Sequence, residues 1–482
     1  MLTHPRAWAQ DNGILNKEKA LWLESGNSAL METSGKRTDN TAGLSYGFIT
    51  GDHHLFQEPQ SSHNVRFNTA GYATIGKIKL WGQFSYDNIT DSGTRYNTLV
   101  YAPHDERFIY NVADTTLSDM EFKMSAPLSQ RLSGGLHIKY RDRIAAKQQD
   151  PRSESTVYEA EVSPSIACII GSSHFIGFNV LYSRLLERSA PTLSNGSILQ
   201  NVFVLKGLGN YTEDVVGSGG LYTMYYQGNS YGGALQYGFD GSVELLVDMG
   251  YRISLTELRQ DATHPRDMGL SSVNDCFINA RLLIEREKSV HKLSFNSLYK
   301  HTKGTEYSTK QINGVGWEVV SKATMSEYIT ADASLSYDYY LTEGDSYLWN
   351  AHSNIRYISK DDSYVIPHSW FKYSGVSAEA GASRQFFFKR RSIISGFMIR
   401  GYKSINGVYV YNGPRAESRP VKELYPHDME IRSSDHIALG AMIEYHKEVN
   451  ANTTIGLKTR IDYLRSHVGD RLLSSFGVQL IF

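Results

Sequence analysis

Alternation of apolar and polar residues with a period of two, sustained over runs of about ten residues, is the feature that most narrows what this chain can fold into. Ile329, Ala331, Ala333, Leu335, Tyr337 and Tyr339 fall on one face of such a run, and Thr330, Asp332, Ser334, Ser336 and Asp338 on the other. The same division sets Ile437, Leu439, Ala441, Ile443 and Tyr445 against Gly440, Met442, Glu444 and His446. It recurs as Ile455, Leu457, Ile461 and Tyr463 against Gly456, Lys458, Arg460 and Asp462, and as Ile278, Ala280, Leu282 and Ile284 against Asn279, Arg281 and Glu285. A helix would mix these faces, so the runs read as β-strands. Strands of soluble sandwiches average about five or six residues. Runs of roughly ten, tilted by about 40°, suit the apolar band of an outer membrane.

Val162 to Ser183 is long enough for a membrane helix and carries no charge, but Pro164 and the turn chemistry of Gly171-Ser172-Ser173-His174 break it into two strands. Tyr158, Ala160, Val162 and Ile166 alternate with Glu159, Glu161, Ser163 and Ser165 before the turn. Ile176, Phe178, Val180 and Tyr182 alternate with Gly177, Asn179 and Ser183 after it. Composition agrees: 32 Tyr, 19 Phe and 6 Trp stand in a chain whose mean hydropathy is −0.37. Aromatic girdles around a polar lumen require that combination.

Connections supply a second line of argument. Short links at Gly76, Pro127 to Gln130, Gly171 to Ser173, Asp240-Gly241, Arg286 to Lys288, Thr342 to Gly344, Lys389 to Arg391 and Val449 to Asn452 take turns with polar stretches near 50–64, 88–117, 143–155, 185–229, 258–274, 302–327, 360–368 and 403–430. Short periplasmic turns and longer outer loops are the rule for outer-membrane barrels. With strand one near Gly43 to Ile49, the count is about eighteen strands, with about sixteen as the alternative. The fold class expected is therefore all-β, a transmembrane antiparallel β-barrel in the cell outer membrane. Closure is required because an open edge in lipid leaves backbone N–H and C=O groups unpaired, at several kcal/mol each.

The chain ends on Phe476, Val478, Leu480 and Phe482 on one face, with Gly477 and Gln479 on the other. This ending resembles the C-terminal signal by which outer-membrane barrels are read by their insertion machinery. That machinery and outer-membrane lipid are the partners implied, with an outer-membrane partner protein as a further one. A net charge of −1, from 49 basic and 50 acidic residues, gives no footprint for nucleic acid. Cys168 and Cys276 lack metal-ligand spacing and are expected unpaired, near opposite ends of the barrel.

Ahead of the barrel, expected over 42–482, residues 1–41 read as a signal remnant and a lead-in. Ala7-Trp8-Ala9 has the small-x-small form of a signal-peptidase site without an apolar stretch before it. Residues 14–32 are expected either to lead plainly into strand one or to plug the lumen as a short amphipathic helix. The stretch Trp22-x-x-x-x-Asn27-x-Ala29, together with Gly51 to Gln60 and the aromatic run Leu80 to Tyr86, resembles a family of uncharacterised Bacteroidetes outer-membrane barrels. It is distantly similar to the Asn-Pro-Ala segment of long-chain fatty-acid transporters, with Ser28 in place of the proline. The resemblance implies fold and location and brings no assigned activity.

Charges expected to line the lumen are Lys79, Lys139, Arg141, Glu159, Glu161, Arg252, Arg281, Glu285, Lys292, Asp332, Asp338, Arg356, Glu444, Lys458 and Arg460. Mixed signs in a wide barrel read as a hydrated, salt-bridged wall that tunes selectivity. Asp52-His53-His54 with His63 is the one pattern that could hold a divalent ion, and exposed loop histidines usually hold none, so no metal and no cofactor are expected. A hydrolase would need Ser, His and a carboxylate on adjacent strands. His352 and His446 face inward in this register without a serine motif. No TonB-coupling box or plug domain fits in the short N-terminal stretch. The functional expectation is a passive or partner-gated route for small polar or amphipathic solutes. A subunit of a larger uptake or secretion assembly is the alternative, and an outer-membrane hydrolase follows it. The segments 185–229 and 403–430 are long enough to fold over the pore or dock a partner.

Overall fold

The computed structural model describes residues 13–34, 40–94, 115–148, 152–192, 200–216, 223–261, 263–343, 346–450 and 453–482. Within them an eighteen-stranded antiparallel sheet closes on itself. Strand β1 (Thr41–Thr50) pairs with β2 (Ser61–Ile75) on one side and with the last strand, Asp470–Ile481, on the other. From β2 the sheet runs through β3 (Ile78–Ser92), β4 (Thr115–Pro127), β5 (Leu132–Ala146), β6 (Arg152–Ile170) and β7 (His174–Thr192). A two-stranded hairpin of β8 (Gln200–Gly207) and β9 (Asn210–Val216) stands outside the wall, and β7 pairs directly with β10 (Met224–Asp240). The wall continues through β11 (Glu244–Gln260), β12 (Arg266–Arg286), β13 (Ser289–Ile312), β14 (Gly316–Glu343), β15 (Ser346–Tyr364), β16 (Ser369–Phe388), β17 (Arg391–Val410), β18 (His436–Asn450), β19 (Thr453–Ser466) and β20 (Asp470–Ile481).

Each strand shows the division read in the sequence. Ile443 is 61% exposed while Glu444 beside it is 1% exposed, and Leu335 is 47% exposed beside Ser336 at 1%. Apolar side chains turned outward around a closed wall fit a lipid solvent, and polar ones turned inward fit the lumen. This is the architecture of an outer-membrane barrel.

Six of the short links lie wholly within the described residues and fall where the alternation put them, at one end of the wall; Gly344 and residues 451–452 of the other two lie outside the described residues. The other end departs from expectation. Residues 302–327 are not a loop, and of 258–274 all but the few residues between Gln260 and Arg266 belong to strands. Strand β12 begins at Arg266, and β13 and β14 run for 24 and 28 residues to a turn at 313–315. Their polarity was misread because outside the lipid band an antiparallel pair needs no apolar face; its backbone groups satisfy each other. At about 3.3 Å per residue, 28 residues outreach the ~25 Å apolar band even when tilted. The tight turn between β19 and β20 at 467–469 had no counterpart in the sequence reading. Cys168 lies beside a short turn as expected, but Cys276 sits midway along β12; both are exposed and unpaired.

Candidate functional site

The N-terminal segment lies inside the wall at the short-turn end. It consists of α1 (Gly13–Lys19), a 3-10 turn at Leu21–Glu24, a second at Ser28–Leu30 and the short helix α2 (Met31–Ser34). Trp22, Leu30 and Met31 are each 1% exposed. They belong to one apolar cluster with inward residues from all round the barrel: Trp81, Phe175, Leu246, Leu283, Val290, Tyr340, Tyr347, Ile394 and Met442. Trp22 meets Trp81 edge to face at 6.3 Å between ring centroids.

Polar contacts hold the segment to that wall. Lys123, itself 1% exposed, donates to the carbonyls of Leu23 at 2.8 Å and Ser25 at 2.9 Å. These accept no helical hydrogen bond at the end of a 3-10 turn, and an ammonium satisfies both. Ser25 donates to Asp248 at 2.8 Å. Asn27 caps the second turn by accepting from Ala29 N–H at 3.0 Å, and its amide donates to the Ile166 carbonyl and to Gln236. Ser133 donates to the Ala29 carbonyl at 3.1 Å. Two wall glycines make room: a methyl group on Gly135 would overlap the Ala29 backbone, and one on Gly177 the Asn27 amide. The Asn27-x-Ala29 resemblance thus comes down to a capped turn pinned to β5, β6 and β10.

At the opposite end three outer segments meet. Leu208, at the tip of the β8–β9 hairpin, joins Tyr328, Tyr364, Phe371, Tyr373 and Met429 in a second buried cluster. Met429 belongs to α3 (Tyr425–Arg432) in the β17–β18 connection. Arg415 donates to the Tyr211 carbonyl at 2.5 Å, and Tyr409 to that of Leu208 at 3.3 Å. The first outer loop closes against the same helix: Phe56 N–H donates to Asp428 at 2.8 Å, and His53 Nε2 lies 3.1 Å from Ser434 Oγ. Burial pushes the Asp428 carboxyl up to about 6, against the pull of Arg432. Burial, with His436 nearby, holds the His53 ring down at about 3. His54 lies 2.8 Å from the Leu55 carbonyl and His63 2.6 Å from the Tyr46 hydroxyl. The loop histidines therefore have separate partners rather than a shared centre.

Between the two packed ends lies a cavity of about 550 Å³ against the β12–β17 wall, with Ile431 and Arg432 of α3 above it. Arg356 pairs with Asp332 through Nε at 2.8 Å and through Nη2. Arg400 pairs with Glu379 through Nε at 2.6 Å and through Nη2. His352 stands between Asp338 Oδ1 at 2.6 Å and Glu379 Oε1 at 3.5 Å. Arg432 reaches the Tyr373 hydroxyl at 3.0 Å.

The charges expected on the lumen wall separate into three groups. Arg281 and Lys292 both bind Glu24, Lys292 also binds Glu18, and Glu285 binds Lys19. Lys79 binds Glu32 at 3.3 Å and the Met31 carbonyl at 2.7 Å, so these four hold the N-terminal segment. Asp332 and Arg356 line the cavity, and Asp338 stands behind it against His352. The rest pair among wall strands: Lys139 with Glu161, Arg141 with Asp119 and Glu159, Arg252 with Asp275, Glu444 with Lys458, and Arg460 with Asp462. Lys123, Glu379, Arg400 and Arg432 were not singled out in the sequence. The first three were within reach of the same alternation, since Lys123 shares a face with Glu121 and Ser125 while Met120, Phe122 and Met124 take the other.

A model of a family of unknown function (DUF6850) matches residues 28–482. No curated protein matches the sequence. Among solved structures, the siderophore receptor PirA from Acinetobacter baumannii is 10% identical with a TM-score of 0.40, covering 92% of this chain and 81% of its own. The outer membrane transporter YddB from Escherichia coli is 9% identical with a TM-score of 0.39, covering 93% and 81%. The copper transporter OprC is 7% identical with a TM-score of 0.41, covering 91% and 80%. Similarity this low carries no inference about cargo or mechanism.

Proposed function

The chain belongs to that family of unknown function, DUF6850, and we propose that it is an outer-membrane barrel giving small polar or amphipathic solutes a gated route, with residues 13–34 as the gate. The observation that carries this reading is the N-terminal segment packed across the short-turn end while a polar cavity persists above it. A permanently open porin would have no use for a buried tryptophan and a buried lysine fastening its own lead-in across the lumen. The fastening is uneven: Lys19 and Glu285 pair with side chains 22% and 35% exposed, whereas Glu18 and Glu24 pair with the buried Lys292 and Arg281. The exposed pair exchanges for solvent at a cost of roughly 0–1 kcal/mol, while Lys292 and Arg281 can lose their partners only as water enters with the segment's release.

In planar bilayers the intact protein is expected to be silent, and the variant lacking residues 13–34 to show stable conductance steps. Steady conductance of the intact protein, or silence of the deletion variant, would contradict the gate. A second reading, a barrel working as a subunit of a larger outer-membrane assembly, draws on apolar residues at the outer tips, where no lipid covers them: Val315 is 79% and Ile366 70% exposed. The fatty-acid likeness gains nothing from the solved structures, two of which are named for siderophores and copper.

A further inference from the structure

We propose that the cavity between the two packed ends is a binding site for a small amphipathic anion, a carboxylate carried on an apolar body. This rests on the gated-route reading and names the class of solute that site takes.

The argument is one of unused hydrogen-bonding capacity. A guanidinium offers five N–H groups. Arg356 and Arg400 each commit Nε and Nη2 to a wall carboxylate, which leaves each Nη1 without a hydrogen bond to any described residue. The wall acceptors are occupied in turn: both oxygens of Asp332 take Arg356, and Glu379 takes Arg400 on one oxygen and faces His352 on the other. What these two pairs still present to a ligand is N–H groups on rigid, planar guanidiniums, the geometry that recognises carboxylates.

Charge points the same way. The lining itself holds three guanidiniums, Arg356, Arg400 and Arg432, against two carboxylates, Asp332 and Glu379, with Asp338 facing His352 and Asp428 near Arg432 behind it. The remaining lining supplies the other half of the ligand, with Phe277, Leu298, Ile358 and Ile431 giving apolar contact. About 550 Å³ lies within the range of pockets that enclose most of a small organic molecule. Because Arg432 comes from the outer cap and the other two arginines from the wall, an anion in the cavity would tie cap to barrel.

Equilibrium binding to the intact, detergent-purified protein, read by calorimetry, separates the alternatives with three probes of one skeleton: phenylbutyrate, phenylbutanol and phenylbutylamine. Phenylbutyrate is expected to bind at least about tenfold more tightly than the alcohol, with the amine weakest. Each neutralised pair, Asp332→Asn with Arg356→Gln and Glu379→Gln with Arg400→Gln, is expected to remove most of that preference while the folded barrel survives. The exterior pair Asp361→Asn with Lys372→Gln is expected to leave it intact. Binding of the alcohol or amine as tightly as the acid, no binding of phenylbutyrate, or full preference in both lining variants would overturn the proposal. The conductance comparison reads the N-terminal segment instead, so a failed ligand class and a failed gate would be told apart.

Discussion

Arginine at Leu335 is expected to cost the barrel about 2–4 kcal/mol and to impair its insertion, whereas arginine at the neighbouring Ser334 should cost less than about 1 kcal/mol. Leu335 is directly opposite Phe295 on one neighbouring strand and Ile355 on the other, and all three are exposed on the outer surface. A guanidinium there would have to enter acyl chains or drag water with it. Ser334 lines the cavity, where its hydroxyl lies 3.4 Å from the Asn296 amide and an arginine would find both water and carboxylates. Urea titration in lipid vesicles, followed by the heat-modifiable migration typical of folded barrels, reads the difference. Equal tolerance at the two positions would mean that the outward face does not meet lipid.

Loosening the N-terminal segment is the second large effect. Lys123→Met removes the ammonium that serves the Leu23 and Ser25 carbonyls, leaving both buried against an apolar side chain. Trp22→Ala empties the space beneath Trp81 and Tyr72. Each change is expected to disfavour the docked segment by about 3 kcal/mol, on the order of a hundredfold in the docked-to-released ratio. The two contributions will not be fully additive, because the Lys123 ammonium lies 6.0 Å from the Trp22 ring centroid. Hydrogen exchange of residues 20–32 should accelerate in each single variant while that of the wall strands stays slow. Unchanged protection of the segment would show that these contacts do not hold it.

Much of the fold was legible because lipid imposes a rule that a soluble core does not. A one-residue slip would put Leu457 in the lumen and Lys458 in acyl chains, so the alternation fixes register, and register fixes which residues face inward. The short links could be read from Gly76 or Asp240-Gly241 because a turn between two lipid-spanning strands has only a few residues to use. Beyond the membrane the rule lapses. The polar extensions of β13 and β14 were invisible because nothing outside the bilayer demands an apolar face from them. The inward charges were legible one by one, yet their partners were not: Arg281 meets Glu24 across 257 positions of sequence, and no periodicity links a lead-in to a strand. The Gly134-Gly135 pair on a wall strand was the available hint that another backbone comes close. The cavity escaped for a similar reason, since it is defined by α3 folding back over the wall, a tertiary event with no local signature.

The claim on which the account depends is that the chain's own N-terminal segment closes the lumen. It is tested most directly on single channels of the Trp22→Ala/Lys123→Met protein in which Cys168→Ser and Cys276→Ser leave Ser25→Cys and Asp248→Cys as its two cysteines, at positions in hydrogen-bond contact in the native protein. A short, reducible thiol linker joining the two cysteines should silence the conductance, and reductant added to the same bilayer should restore it. Conductance that is indifferent to the linker would contradict the account.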